Sequence, residues 1–269
     1  MTAKLLGQIK GSSQQKKVIR ETLQRNLSRL QTDINLLLKD AFEKLRQKYP
    51  NRYQKGFLVI VDNLDRIPPN VANHLFFDYA PQLQELDCTI IYTVPISVIY
   101  SYKNVSNLFG NPNIVPMVNI YEFNRSECDL NYHQQRLEGV ASLIEKRVDV
   151  SAVFDDRQQL LDLAKASGGH VRQLMQTTRS AFRTAITRKH SKVLAEDVTY
   201  ALKQQQFDFE RSTPTTEYYT ILAQVCLKKD IDKDEIGQTL LFNISVLEYN
   251  GSSRWNYVNP LVKQSYSIS

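Results

Sequence analysis

The feature that most constrains this chain is Phe57-Leu58-Val59-Ile60-Val61, an apolar and largely β-branched run that stops abruptly at Asp62-Asn63-Leu64-Asp65-Arg66. A short continuous apolar run of this kind fits a strand of a parallel sheet, buried on both faces. A helix pattern follows over about residues 70 to 86, and then a second apolar run at 88 to 93, broken by Pro95. A helix-like piece at 97 to 102 and a strand-like stretch at 114 to 121 repeat the alternation. Strands alternating with helices indicate βαβ units, so the sequence predicts an α/β fold on a parallel sheet.

Ahead of the first strand, Leu23, Leu27, Leu30, Ile34, Leu37, Leu38, Phe42 and Leu45 recur at steps of three and four. That spacing predicts one long amphipathic helix over about residues 15 to 49, closed by Pro50. After Phe123 the apolar spacing stays helical for about eighty residues. Leu137, Val140, Leu143, Ile144 and Val148 form the buried face of a first helix, with Ser126 and Asp129 as its expected start. Leu160, Leu161, Leu163 and Ala164 mark a second, stopped by Gly168-Gly169, because glycine readily takes the left-handed angles that end helices. A third carries Val171, Leu174, Met175, Ala181, Phe182 and Ala185, and a fourth covers about 195 to 205, which together predict a compact bundle. The C-terminal stretch reads as a helix over about 216 to 228, a short one near Asp234, and β-like runs at 241 to 249 and 254 to 258. Asn250-Gly251 between those runs is a strong hairpin signal, and helices followed by a hairpin predict a winged-helix-like module.

A chain of 269 residues, 42% hydrophobic, can bury one large core or two to three small ones. No run approaches the roughly 18 apolar residues of a membrane-spanning helix, and no apolar signal core follows the first lysine. No membrane association and a cytoplasmic location are therefore expected. Cys88, Cys128 and Cys226 stand far apart without a CxxC pair, so buried free thiols are expected rather than a disulfide framework or a zinc site. His74, His133, His170 and His190 show no ligand spacing, and no G-x-S-x-G elbow occurs, so neither a metal site nor a hydrolase triad has local support. Trp255 fits packing against the hairpin better than a base-stacking platform.

The strand at 57 to 61 delivers two carboxylates, Asp62 and Asp65, to its C-terminal end, the side of an open α/β sheet where ligands bind. Carboxylates there suit a hydrated magnesium ion, which keeps several waters and takes one or two protein oxygens beside nucleotide phosphates. The same residues also fit a cap on the next helix, where negative charge complements the N-terminal dipole. Arg172, by itself, fits a solvated arginine in a first helical turn.

Residues 57 to 66 resemble the Walker B segment of P-loop ATPases, in the Asp-Asp-Leu-Asp-Arg form of STAND and KAP-type members. Residues 88 to 93 resemble the next core strand, whose polar end residue, here Thr93, matches the sensor 1 position that touches the terminal phosphate or the attacking water. Ser167-Gly168-Gly169-His170-Val171-Arg172-Gln173-Leu174 resembles the glycine-glycine-x-x-arginine turn of the lid, in which the arginine is sensor 2. The implied role of Arg172 is to reach the phosphates with a fixed cationic fork. Residues 247 to 251 and 255 to 262 look like the terminal wing and its follow-on in bacterial STAND-like ATPases. The motifs stand in the order of the AAA+/STAND-like family along most of the chain. The resemblance implies a partial parallel-sheet P-loop NTPase core at 1–124, an all-α lid bundle at 125–207 and a winged-helix-like domain at 208–269. It implies ATP and Mg2+ as cofactors. Asp62 and Asp65 would face the metal, Asp62, Thr93 and Arg172 the nucleotide, and Asp62, Asn63, Asp65 and Thr93 would hold the catalytic positions.

Two departures bear on activity. No G-x-x-x-x-G-K-[ST] occurs: Gly7 and Gly11 are followed by Ser12 and Ser13 without the lysine. That loop supplies the backbone cradle and the cation for the β- and γ-phosphates, so weak nucleotide affinity is expected. In complete members the P-loop and first strands precede a long basic helical segment like residues 15 to 49, which implies a product truncated upstream. The position after the first Walker B aspartate, usually acidic in hydrolysing members, is Asn63, and an amide can orient water but cannot act as a base near neutral pH. Slow hydrolysis, or use of Asp65 instead, is expected even with a phosphate loop.

Charge bears on partners. Residues 1 to 55 hold 13 Lys/Arg against 4 Asp/Glu, while the whole chain nets +6. A basic arm of this kind can bind nucleic acid or acidic lipid, though the apolar stripe running through it also fits a solvated helix face. Three functions follow: a regulatory ATPase module with a protein partner, a winged-helix nucleic-acid reader with a basic N-terminal helix, or a scaffold self-associating through the helix at 23 to 45. Residues 213 to 269 carry 5 Lys/Arg against 6 Asp/Glu, a poor balance for a DNA reader.

Overall fold

The computed structural model describes residues 26–52, 55–212, 216–251, 253–266 and 268, so the part of the expected first helix before Asn26 lies outside the described residues. The chain is a helix-rich α/β protein with two small sheets among those residues, one parallel and one antiparallel. It divides into two compact units, the described residues of Met1–Asp65 with Asn73–Val94, and Arg66–Ala72 with Pro95–Ser269.

The first unit is a two-stranded parallel sheet with one long helix. Helix α1 (Leu27–Lys48) ends with Arg46 and Lys48 in its last turn, where positive charge complements the exposed carbonyls. Its Gln31 donates to Gln82 O at 3.0 Å, while Asn35 donates to Glu85 O at 2.9 Å and accepts from Asp87 N at 2.8 Å. Phe42 meets Phe57 edge to face at 5.9 Å. Strand β1 (Leu58–Val61) pairs with β2 (Thr89–Tyr92) from Leu58↔Thr89 to Val61↔Tyr92. Between them the expected single helix is in pieces: α2 (Pro69–Asn73), a π-turn (His74–Asp78) and α3 (Ala80–Gln84). Pro81 explains the break, because it has no N–H for the carbonyl four residues back.

The strands depart from expectation in burial. Both alternate between exposed and half-buried, with Leu58 59%, Ile60 61% and Ile91 49% exposed. The composition of a doubly covered strand is present, yet only one set of side chains, Val59, Val61, Ile90 and Tyr92, is half-buried while the other set is exposed.

The second unit is built around one continuous core running from Tyr100 to Ile268. After α4 (Ile96–Ile99) and α5 (Ser106–Phe109) come the helices α6 (Gln134–Glu145), α7 (Val150–Val153), α8 (Arg157–Ala166), α9 (Val171–Arg188) and α10 (Ala195–Ser212). Asp149 and Asp156 cap α7 and α8 by accepting backbone N–H groups, and Lys189 closes α9 in the left-handed conformation at φ 61°. The C-terminal part holds α11 (Thr216–Lys228), α12 (Glu235–Phe242, capped by Asp234), strands β3 (Val246–Tyr249) and β4 (Trp255–Val258), and α13 (Pro260–Ser265). β3 and β4 form the antiparallel hairpin expected around Asn250-Gly251, from Val246↔Val258 to Tyr249↔Trp255. Trp255, 2% exposed, stacks on Tyr249 with centroids 4.4 Å apart and packs against Tyr121, Phe123 and Tyr257.

Three expectations are corrected here. Residues 114 to 121 form no strand; Pro116 interrupts the run. The segment is tied instead by Met117 N donating to Glu248 O at 2.9 Å and Val118 N to Gly169 O at 3.2 Å. Helix α6 begins at Gln134 rather than near Ser126, because Tyr121 bridges Tyr132 and holds 120 to 133 as an extended loop. Finally, Cys128 and Cys226 are joined in a disulfide, leaving Cys88 as a free, half-buried thiol. Standing 98 positions apart, the pair has no spacing signature in sequence.

Candidate functional site

The parallel pairing brings Asp62, Asn63, Asp65 and Thr93 to one end of the first unit. Thr93 N donates to Val61 O at 3.1 Å, which carries the ladder one step past the strands and sets Thr93 beside the turn that leaves β1. The Thr93 hydroxyl accepts from Leu64 N at 3.1 Å and faces Val61 O at 3.4 Å, so one side chain ties the turn to both strand ends. Asn63 sits at φ 65°, a left-handed conformation that asparagine tolerates better than most residues. It turns the chain into the 3-10 turn Leu64–Arg66, while its N–H donates to Asp62 Oδ1 at 2.7 Å. Asp62 and Asn63 are exposed, and Asp65 and Thr93 half-buried.

This geometry suits a hydrated cation better than a desolvated one. The exposed Asp62 carboxylate keeps its hydration and can hold a magnesium ion through its waters, with little burial cost for that charge. The one-residue left-handed step at Asn63 turns the chain directly from β1 into the 3-10 turn that carries Asp65.

Arg172 belongs to the second unit, exposed in the first turn of α9. The turn before it is tightly specified. Gly168 and Gly169 have φ 57° and 82°, and a Cβ on Gly169 would lie 1.8 Å from Val118 O. A Cβ on Gly168 would lie 2.6 Å from Leu247 Cδ1, and Tyr249 OH donates to Gly168 O at 2.5 Å. His170 caps α9 through Nδ1, which accepts from Gln173 N at 3.0 Å. Burial, with the Arg172 charge nearby, pushes the His170 pKa down to about 4, which keeps that nitrogen an acceptor. The double glycine is thus demanded by packing against 118 and the hairpin, independently of any ligand.

Two polar clusters escaped the sequence reading. His190, Glu196 and Asp197 come together where α9 meets α10. Asp197, fully buried, accepts from Arg188 at 3.0 Å, Leu194 N at 3.0 Å and pairs with His190 Nδ1 at 2.9 Å. Its oxygens are committed to the helix junction, and the guanidinium beside them opposes a second cation. The other cluster surrounds Lys229, fully buried at the end of α11 with φ 58°, whose Nζ donates to Glu127 O at 2.6 Å and to Cys226 O. Burial first, and then the charge of Lys263, push its pKa down to about 8. A lysine of this kind carries no motif; only its position after the apolar face of α11 hints at burial.

Comparison with family models, with curated proteins and with solved structures returns no match.

Proposed function

We propose that this chain is part of a AAA+/STAND-like regulatory ATPase, bearing the metal-side half of a nucleotide site and hydrolysing little or no ATP by itself. The observation that carries the reading is the placement of Asp62, Asp65 and Thr93 together at the C-terminal ends of two paired parallel strands, the position where α/β sheets bind ligands. In this reading Asp62 and Asp65 hold Mg2+ through its waters, and Thr93 faces the terminal phosphate. Asn63 orients water without deprotonating it. The sequence contains no lysine-bearing glycine loop, so the phosphates lack their usual cradle. Residues 1 to 124 would form the core, 125 to 207 the lid and 208 to 269 a winged-helix-like module, in a cytoplasmic protein.

The partner in this reading is another protein. Every residue of β3 and β4 is buried, whereas a wing that reads DNA must project. The near-neutral charge of residues 213 to 269 supports the same choice. Among the described residues no helix is long and apolar enough to cross a membrane.

The test uses manganese as a paramagnetic stand-in for magnesium. With Mn-ATP at millimolar concentration, amide signals of Asp62 to Asp65 and Thr93 should broaden selectively, and Asp62→Asn should abolish the effect. Broadening elsewhere, or broadening indifferent to Asp62→Asn, would remove the reading.

A further inference from the structure

We propose that Cys128–Cys226 is a reversible redox latch, opened by a low-molecular-mass thiol, that fastens the loop at 120 to 133 onto the end of α11. The inference stands apart from the nucleotide reading, since it concerns only the second unit.

The loop is closed at its base and fastened at its tip by different means. At the base, Glu122 N donates to Asn131 O and His133 N to Ile120 O, both at 2.9 Å, around the Tyr121–Tyr132 bridge. At the tip the anchors are side chains reaching in from the C-terminal part. Tyr257 OH donates to Cys128 O at 2.5 Å and Lys263 Nζ to the same oxygen at 3.3 Å. Lys263 also pairs with Asp129, and Lys229 Nζ bridges Glu127 O and Cys226 O. The disulfide crosses the same contact. These anchors persist when the S–S bond is broken, so the two thiols stay close enough to close again.

The two sulfurs are unequal. Cys226 is fully buried on α11, while Cys128 is 9% exposed on the loop. Exchange depends on access, so the incoming thiolate attacks Sγ of Cys128, the S–S bond breaks, and Cys226 leaves as thiolate. A second thiol then attacks the mixed disulfide and releases Cys128, so two small thiols become one small disulfide and the protein gains two thiols. Lys229 and Lys263 donate to the carbonyls of Cys226 and Cys128, so each cysteine of the pair carries a cationic side chain on its own backbone oxygen, and positive charge near a thiol favours the thiolate that exchanges. Disulfides of this reversible kind are the form expected where thiols are otherwise kept reduced.

The experiment equilibrates the full chain in graded mixtures of reduced and oxidised glutathione, quenches with acid and an alkylating agent, and reads disulfide state by peptide mass spectrometry. Amide exchange is measured on the two end states. The latch predicts a single two-electron transition, with Cys88 alkylated throughout and both end states folding cooperatively. It also predicts amide exchange at 122 to 131 accelerated roughly tenfold in the dithiol while α8 and α9 are unchanged. Cys128→Ser, at the less buried position, should reproduce the dithiol's exchange pattern, and Cys88→Ser should leave the transition in place. The proposal is overturned if no Cys128–Cys226 peptide forms in oxidising buffer or if the bond is reduced only when α9 unfolds. It is equally overturned if exchange at 122 to 131 is the same in the disulfide, the dithiol and Cys128→Ser.

Discussion

Replacing Gly169 by alanine should be among the most destabilising single-methyl additions in the second unit. The new Cβ would stand 1.8 Å from Val118 O and 2.9 Å from Val118 C, and both atoms are backbone, with no rotamer to give way. Restoring ordinary contact means displacing the 117–118 backbone by more than an ångström. That costs the Val118 N to Gly169 O bond at 3.2 Å and loosens Met117 N to Glu248 O at 2.9 Å, about 1 kcal/mol each. Alanine held at φ 82° adds about 1–2 kcal/mol. The total is about 3–4 kcal/mol, a large share of the roughly 5–15 kcal/mol of a whole domain. Gly168→Ala should cost less, because its closest contacts, Leu247 Cδ1 at 2.6 Å and Pro260 Cδ at 2.9 Å, are side-chain atoms and less severe than a backbone carbonyl at 1.8 Å. Gly139→Ala, in α6 with nothing within 4 Å, should be neutral or stabilising by up to about 1 kcal/mol. Urea denaturation followed by Trp255 fluorescence, with unchanged m-value, measures all three. A Gly169→Ala protein within about 1 kcal/mol of the parent would refute the close approach of 118 to the glycine turn.

Two pH profiles follow from buried bases. His170 has its folded pKa pushed below the unfolded value, so it stabilises the fold above about pH 6.5 and that contribution fades as pH falls toward about 4. His170→Asn keeps a cap acceptor and should flatten stability across that window; an unchanged slope in the variant would show that the imidazole is not held neutral. Lys229 likewise binds its proton more weakly when folded, so stability should rise from about pH 8 toward 10.5. Lys229→Met should remove the rise, read as the difference between the two proteins' urea midpoints; parallel profiles would place the ammonium in solvent.

Local chemistry was the legible part of this fold. Asn250-Gly251 announces its hairpin as a turn-forming break between two β-like runs, and Gly168-Gly169 announces a helix end because few residues accept left-handed angles. The strand ends at Asp62 and Thr93 are legible because an apolar run cut off by carboxylates has few structural uses. Tertiary facts were hidden. Residues 114 to 121 have strand composition but a proline at 116, and their two donors go to Gly169 and Glu248, far along the chain. The Cys128–Cys226 pairing and the burial of Lys229 depend on how a loop meets the end of α11. Exposure of Leu58, Ile60 and Ile91 shows the converse: apolar sequence states what a strand can bury, and neighbours decide whether it does.

The most direct test of the nucleotide-site reading is calorimetric titration of this chain with Mg-ATP, alongside Asp62→Asn. Carboxylates that hold a hydrated metal, without a phosphate cradle, predict saturation only near or above about 1 mM, worth about 4 kcal/mol, and weaker still in the variant. Micromolar binding by this chain alone, about 8 kcal/mol, would contradict the account.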